Sequence, residues 1–230
     1  MDLSADLLQY LSIPYYSNLQ CNTLGMDHPS HCFDISHYRN FGPVQYQFND
    51  IGFRTKPTQE FIGNEILVVG DSFTLGLGVN ARDRWSDQLE KIINYPVLNF
   101  SLNGASNDWI RRKTNQLLQI FKPRCVIVHW SFSHRREKNC PDWHDDERTE
   151  CDAYYSEDEN FNNWLTNYNE INCRNIIHSA IPGWHDNFPY ENYELLPPVQ
   201  KEDLARDGFH YGPITNRILA GKITNLLASL

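Results

Sequence analysis

From residue 65 onward, short apolar runs alternate with longer amphipathic segments, and this alternation constrains the fold more than any other feature. Short runs rich in Val and Ile are typical of buried strands, and four are predicted: 65–69, 96–100, 125–130 and 175–181. Apolar residues spaced three or four apart indicate helices packed on one face, and three are predicted: 85–95, 106–122 and 214–230. This order predicts an α/β fold, a three-layer α/β/α sandwich with a mostly parallel central sheet.

Residues 1–64 lack this alternation and are rich in proline, asparagine and aromatic residues. Apart from a short helix over 4–12, we expect an irregular N-terminal extension that wraps the main domain, which covers 65–230. A second irregular stretch is expected over 139–160, because acidic residues crowd it and such runs usually form solvated loops.

Composition narrows the classes of partner and compartment. The net charge of −9 argues against a nucleic-acid-binding protein, which would present a basic face. No apolar run reaches about 18 residues, so no membrane span is expected. The acidic start makes a poor export signal, which predicts a cytoplasmic protein, or a virion-associated one if the chain is viral. The six cysteines are then expected to be free thiols.

The first predicted strand runs directly into Gly70-Asp71-Ser72. A serine just past a buried strand lies at the carboxyl edge of the sheet, where open α/β sheets bind their ligands. A phosphate loop would need a lysine that is missing here, and a nucleophile elbow would need glycine where Thr74 stands. Taken alone, the pattern also fits a tight turn with an incidental serine.

Asp207 and His210 precede the last predicted helix, three residues apart. A carboxylate at this spacing can hold the imidazole through Nδ1 and leave Nε2 free to take a proton from a serine. For the pair alone, an ordinary loop is the simpler interpretation. Together with Ser72, the catalytic interpretation is favoured.

Three blocks of the chain together resemble the SGNH (GDSL-type) serine esterase and acylhydrolase family. Gly70-Asp71-Ser72 matches its first block, Asn99 to Ser106 the second, and Asp207-x-x-His210 the last. The resemblance covers 65–230 and implies a flavodoxin-like sheet. The segment Asn49-Asp50-Ile51-Gly52-Phe53-Arg54 also resembles a lead-in of such domains, including polysaccharide acyl-modifying proteins and phage-borne relatives.

The resemblance implies a role for each matching residue. Ser72 would be the nucleophile, His210 the general base and Asp207 its partner, and the backbone N–H groups of Ser72 and Gly104 would form an oxyanion hole. The implied activity is hydrolysis of an acyl ester, with O-acetyl groups of a carbohydrate as one candidate substrate and no metal or other cofactor. The expected partner is therefore a small-molecule or saccharide ester, with no nucleic acid and no membrane.

Two other functions fit the same sequence. One is acyl transfer to an alcohol in place of water by the same fold. The other is a non-catalytic binding module or virion structural component. The intact Ser72, Asp207 and His210 oppose this last alternative.

The family's third block is altered, because Ser133 replaces by position the asparagine that donates to the oxyanion hole and His134 replaces the aspartate. Ser133 is the candidate third donor with His134 as its competitor, and Asn103 or Asn107 are alternatives. Substrate contacts are predicted for His134, Arg135 and Trp184. Two interpretations stay open for Arg135 and Arg136: a pair that binds an anionic group of the substrate, or ordinary solvated charges.

Metal-capable side chains cluster in two places, but neither cluster shows the tight paired spacing of structural zinc sites. We therefore expect no metal at either cluster. The two clusters are Cys21, His28, His31, Cys32 and His37, and Cys140, His144 and Cys151.

Overall fold

The computed structural model of the chain describes residues 3–137, 155–181 and 193–228. The strands in these ranges are β1 (Gln20–Cys21), β2 (Tyr46–Gln47), β3 (Ile66–Gly70), β4 (Val97–Asn99), β5 (Cys125–Trp130), β6 (Ile176–Ala180) and β7 (Leu195–Leu196). The α-helices are α1 (Ala5–Leu11), α2 (Ile35–Phe41), α3 (Ser72–Leu75), α4 (Trp85–Ile93), α5 (Asn107–Ile120), α6 (Glu157–Asn169) and α7 (Pro213–Leu227). No helix in these ranges is long and apolar enough to cross a membrane.

A parallel sheet with the strand order β4-β3-β5-β6-β7 forms the centre of the described part of the chain. After β3 the chain forms β4 on one side of β3. It then crosses back and forms β5 on the other side of β3. Right-handed crossovers in opposite directions place α4 and α5 on opposite faces, where α4 packs with α7 and α5 with α6. The predicted α/β sandwich is confirmed.

The reversal of strand order around β3 fixes where a ligand can bind. A crevice opens beyond the carboxyl ends of the two strands that flank such a switch point. Ser72 follows β3 at this edge, and the register pairs Gly70 of β3 with His129 of β5. The fold therefore brings the segments after β3, β4 and β5 to the same edge of the sheet.

The expectation of an irregular stretch over 139–160 is wrong at its end, because α6 begins at Glu157. Ser156 and Glu159 form a capping box, and the acidic first turn complements the positive end of the helix dipole. The acids at 157–159 thus belong to a helix start, although the sequence pattern suggested a solvated loop.

The extension contains α1, α2 and the antiparallel pair β1-β2, linked by irregular segments. Its buried side chains join the same hydrophobic core as the sheet. The Phe53 ring, for example, packs edge-on against Phe100 with 5.0 Å between ring centroids. The division of the chain into an extension over 1–64 and a main domain over 65–230 stays a prediction.

Candidate active site

Ser72 lies in a sharp turn between β3 and the short helix α3. Asp71 caps this helix, and its Oδ1 accepts the Phe73 N–H at 2.9 Å. Gly70 allows the turn to close, because a Cβ there would overlap the Thr74 hydroxyl. The cap and the close approach together hold Ser72 at the first position of α3, buried except for 3% of its surface.

Asp207 and His210 lie in a tight turn before α7. The Ala205 N–H donates to the His210 carbonyl at 2.9 Å, and Gly208 has a φ of +75° that glycine adopts without strain. Asp207 Oδ1 accepts the N–H groups of Phe209 at 3.0 Å and His210 at 3.1 Å. One carboxylate oxygen therefore orders the turn, and the other is left for the imidazole.

The structure brings Ser72, Asp207 and His210 together. His210 Nδ1 lies in hydrogen-bond contact with Asp207 Oδ2, and His210 Nε2 lies 2.8 Å from Ser72 Oγ. A carboxylate can only accept, so Nδ1 carries the proton and Nε2 accepts the Ser72 hydroxyl. This is the arrangement in which an imidazole activates a serine for attack on a carbonyl.

The pKa values of two buried carboxylates near Ser72 are shifted in opposite directions. Burial alone would raise the pKa of Asp207, but the hydrogen bond and charge of His210 and two backbone N–H groups outweigh it and hold that pKa below its usual value. Burial raises the pKa of Asp71, although Arg135, Ser131 and the Phe73 N–H oppose it. Asp207 is thus the carboxylate suited to face an imidazolium.

The N–H groups predicted for the oxyanion hole have no acceptor within the described residues. Ser72 N–H begins α3, where the first amides of a helix lack intrahelical acceptors. Gly104 lies with a φ of +73° in the loop after β4, and this loop is tied to the end of β3 by a bond from Leu102 N–H to the Gly70 carbonyl at 3.1 Å. Their roles in an oxyanion hole stay a proposal.

Asn107 does not supply the missing side-chain donor. Its Nδ2 donates to the Phe132 carbonyl at 3.0 Å, and its Oδ1 accepts the Ser131 N–H at 3.0 Å. Ser131 in turn donates its hydroxyl to Asp71 at 2.6 Å. These bonds hold the altered third block against the Ser72 turn, which is a structural task that the sequence did not reveal.

Ser133 is buried, and its hydroxyl makes no hydrogen bond to another described residue. The other alternative, Asn103, packs against the extension, because a Cβ on Gly25 would lie 2.6 Å from its Nδ2. Ser133 therefore remains the candidate for the third donor.

The predicted substrate contacts fall in different surroundings. His134 is exposed and stacks on Phe132 with 5.5 Å between ring centroids. The Arg135 guanidinium lies 3.6 Å from the Asp71 carboxylate, which directs this charge inward. Arg136 lies over the Tyr155 ring at 3.9 Å. Trp184 lies outside the described residues.

The His and Cys residues of the extension form no metal cluster in the ranges that the structure describes. His37 Nε2 instead contacts the Ala205 carbonyl at 2.8 Å, and Cys32 donates to the Pro29 carbonyl. The second cluster, Cys140, His144 and Cys151, lies outside those ranges.

The sequence analysis did not predict the aromatic rim beside His210, which the rings of Phe33 and Phe209 form. Phe33 of the extension stacks on Phe209 with 5.1 Å between ring centroids, and its N–H donates to the Asp207 carbonyl at 2.9 Å. The Lys201 ammonium lies 4.2 Å from the centre of the Phe209 ring. The two contacts of Phe33 join residues far apart in the chain, so no local pattern could have shown them.

Neither a protein-family model nor a curated protein sequence matches the chain. Similar solved structures include a carbohydrate esterase with divergent catalytic and non-catalytic binding functions in its active site, at 13% identity over 73% of this chain and 65% of that one, with a TM-score of 0.48. A G-D-S-L family lipolytic protein from Veillonella parvula matches at 12% identity over 72% and 99% of the chains, with a TM-score of 0.47. A lipase/acylhydrolase from Enterococcus faecalis matches at 15% identity over 72% and 96%, with a TM-score of 0.48. The chain thus spans less than two thirds of the carbohydrate esterase's length.

Proposed function

We propose that this protein is a serine hydrolase that cleaves an acyl ester. The observation that carries the proposal is the continuous relay from Ser72 through His210 to Asp207, each in hydrogen-bond contact with the next. In nucleophilic catalysis, a serine hydroxyl is activated by an imidazole whose other ring nitrogen bonds to a buried carboxylate, and these three residues are arranged in that way.

In the first half of the reaction, Ser72 Oγ attacks the ester carbonyl carbon while His210 Nε2 takes the hydroxyl proton. The N–H groups of Ser72 and Gly104 hold the negative oxygen of the tetrahedral intermediate. The intermediate collapses when His210 returns the proton to the leaving alcohol, and the acyl group stays on Ser72. Asp207 stabilises the imidazolium throughout.

In the second half, water attacks the acyl-enzyme with His210 again as the base. The bond to Ser72 Oγ breaks, the proton returns to the serine, and the carboxylic acid leaves. An alcohol acceptor in place of water would turn the same steps into acyl transfer.

For the alcohol part of the substrate we propose a saccharide. The aromatic rim supports this, because the Phe33 side chain is 66% exposed next to the turn of His210. A rigid aromatic face offers a large contact area at low entropic cost, and an apolar sugar face fits it. Replacement of Phe33 by alanine should raise KM for an acetylated xylan but not for a short nitrophenyl ester.

The central experiment combines a fluorophosphonate probe with the Ser72→Ala variant. The unaltered protein should gain one probe mass at Ser72 and release acetate from acetylated sugars, and Ser72→Ala should lower turnover by at least about 1000-fold. Ser101→Ala is the matched control, because Ser101 is equally buried and follows the neighbouring strand β4. Failure of the probe to label the folded, unaltered protein would refute the hydrolase and favour a binding module.

A further inference from the structure

A buried ion pair lies one residue away from the relay. Arg206 donates from Nε to Asp27 Oδ1 at 2.8 Å and from Nη2 to Asp27 Oδ2 at 2.6 Å. The Asp27 side chain is fully buried and Arg206 is 5% exposed. Such two-point pairing fixes direction as well as distance. Asp27 belongs to the extension, whereas Arg206 precedes Asp207 in the chain.

Tyr46 extends this ion pair to the segment that follows Ser72. Its hydroxyl donates to Asp27 Oδ2 at 2.5 Å and accepts the Gly78 N–H at 2.7 Å. Burial and the neighbouring Asp27 raise the pKa of Tyr46 well above its usual value, so the hydroxyl keeps its proton and continues to donate.

Gly78 closes the circuit. Its carbonyl accepts the Arg206 N–H at 3.0 Å, so Gly78 is bonded to Tyr46 on one side and to Arg206 on the other. A Cβ on Gly78 would lie 2.7 Å from the Ala205 Cβ, which shows how closely the two segments approach. One segment continues from the helix that begins at Ser72, and the other leads directly into Asp207.

From this geometry we infer that Asp27 is a positioning residue for the proposed reaction. Acting through Arg206 and Tyr46, it sets the segment that carries Asp207 and His210 against the segment that carries Ser72. The inference rests on the proposed function for its kinetic consequence only, because the geometry of His210 can be measured without any substrate. A displacement of about 1 Å between reacting groups lowers a rate by roughly 100-fold, so such a device has a measurable effect.

Two variants test the inference on the full chain. Asp27→Asn removes the charge with little change in shape, and Tyr46→Phe removes one hydroxyl only. Glu65→Gln is the matched control, because Glu65 is equally buried and accepts two backbone N–H groups at the opposite, amino end of β3. Asp27→Asn and Glu65→Gln each exchange a buried carboxylate for an amide, and Tyr46→Phe removes a buried hydroxyl, but only the changes at Asp27 and Tyr46 touch the circuit.

The kinetic measurement is turnover per probe-labelled Ser72, which removes any effect of the unfolded fraction. We expect kcat to fall about 10- to 100-fold in Asp27→Asn and less in Tyr46→Phe, with KM within about twofold. Glu65→Gln should keep the turnover of the unaltered protein. A merely structural role of Asp27 would leave turnover per labelled site unchanged, and that result would overturn the inference.

The second measurement is the downfield proton resonance of His210 Nδ1–H on Asp207. It should shift or broaden in Asp27→Asn and Tyr46→Phe but not in Glu65→Gln, and an unchanged resonance in Tyr46→Phe would overturn the inference even if Asp27→Asn does not fold. If the unaltered protein shows this resonance yet never takes the probe, the proposed function fails by itself, and the resonance alone then decides the role of Asp27.

Discussion

The parallel sheet and the N-terminal extension both reach the turn that carries Ser72, but they contact it through different groups. On the sheet side, β3 ends in a capped helix start, and Ser131 from the segment after β5 bonds to Asp71. On the extension side, the contacts are polar and charged side chains that bond to backbone groups of the segment after Ser72 and to Arg206. Arg54 shows the pattern, because its guanidinium donates to the carbonyls of Gly76 at 2.7 Å and Val79 at 2.8 Å.

The difference lies in what each region needs from the rest of the chain. A buried parallel strand and a helix cap are encoded by neighbouring residues. A buried guanidinium, in contrast, is stable only if carbonyl groups from distant parts of the chain accept its hydrogen bonds. We therefore expect the sheet to define the position of the site and the extension to hold its segments together.

Removal of the extension should destabilise the molecule more than any single substitution. A chain of residues 65–230 should lack a cooperative unfolding transition, because loss of Phe53 and Phe61 uncovers Phe100 and Phe121 of the main core. Circular dichroism melts and amide NMR dispersion measure this. A dispersed spectrum with a sharp melt would show that 65–230 folds independently.

Replacement of Arg54 by leucine should produce the next largest effect. It leaves the carbonyls of Gly76 and Val79 buried without their donor, which should cost about 4 kcal/mol of unfolding free energy. Arg82→Leu is the matched control, because the Arg82 side chain is 77% exposed and its loss should change stability by less than about 0.5 kcal/mol. Urea titrations of both variants measure how much unfolding free energy each one loses, and equal losses would contradict this prediction.

The position of the three relay residues was predictable from the sequence, whereas the means of holding them was not. Ser72 follows a recognisable strand, and Asp207 and His210 lie within one turn, so local pattern and family resemblance sufficed. The bond between Asp27 and Arg206 joins positions 179 apart, and neither residue carries a local signal. The helix α6 was missed for a different reason, because its capping box lies inside an acidic run that resembles a loop.

A third prediction tests the sheet side through pH. Burial lowers the pKa of His129 on β5 to about 3 from its ordinary 6.5, so the folded state binds fewer protons than the unfolded state between these values. Stability from this residue is therefore present above about pH 6.5 and is lost as the pH falls, by about 3 kcal/mol between pH 7 and pH 4. His129→Gln, which can still bond to Ser179, should flatten the pH dependence by that amount in urea titrations.

If the slope of stability against pH is the same in His129→Gln as in the unaltered protein, His129 is not held neutral by the sheet. The acid sensitivity would then come from other groups, among them the carboxylates and His178, whose pKa burial lowers to about 4.

A weaker effect is expected from Ser133, which lies in the segment after β5. If the Ser133 hydroxyl is the third oxyanion donor, Ser133→Ala should lower kcat about 10-fold, or ~1.4 kcal/mol, with KM unchanged. The effect falls on kcat because the bond strengthens only as negative charge develops on the carbonyl oxygen. A hydroxyl is short and rotates freely, so its contribution should be below that of the amide which the resemblance leads one to expect.

Ser133→Asn should then raise the rate if the longer side chain fits. His134→Ala is the comparison on the neighbouring residue: it should leave kcat unchanged, whereas loss of a substrate contact would raise KM. A lower kcat in His134→Ala beside an unchanged kcat in Ser133→Ala would move the donor by one position, and an unchanged kcat in both would leave an oxyanion hole of two backbone donors.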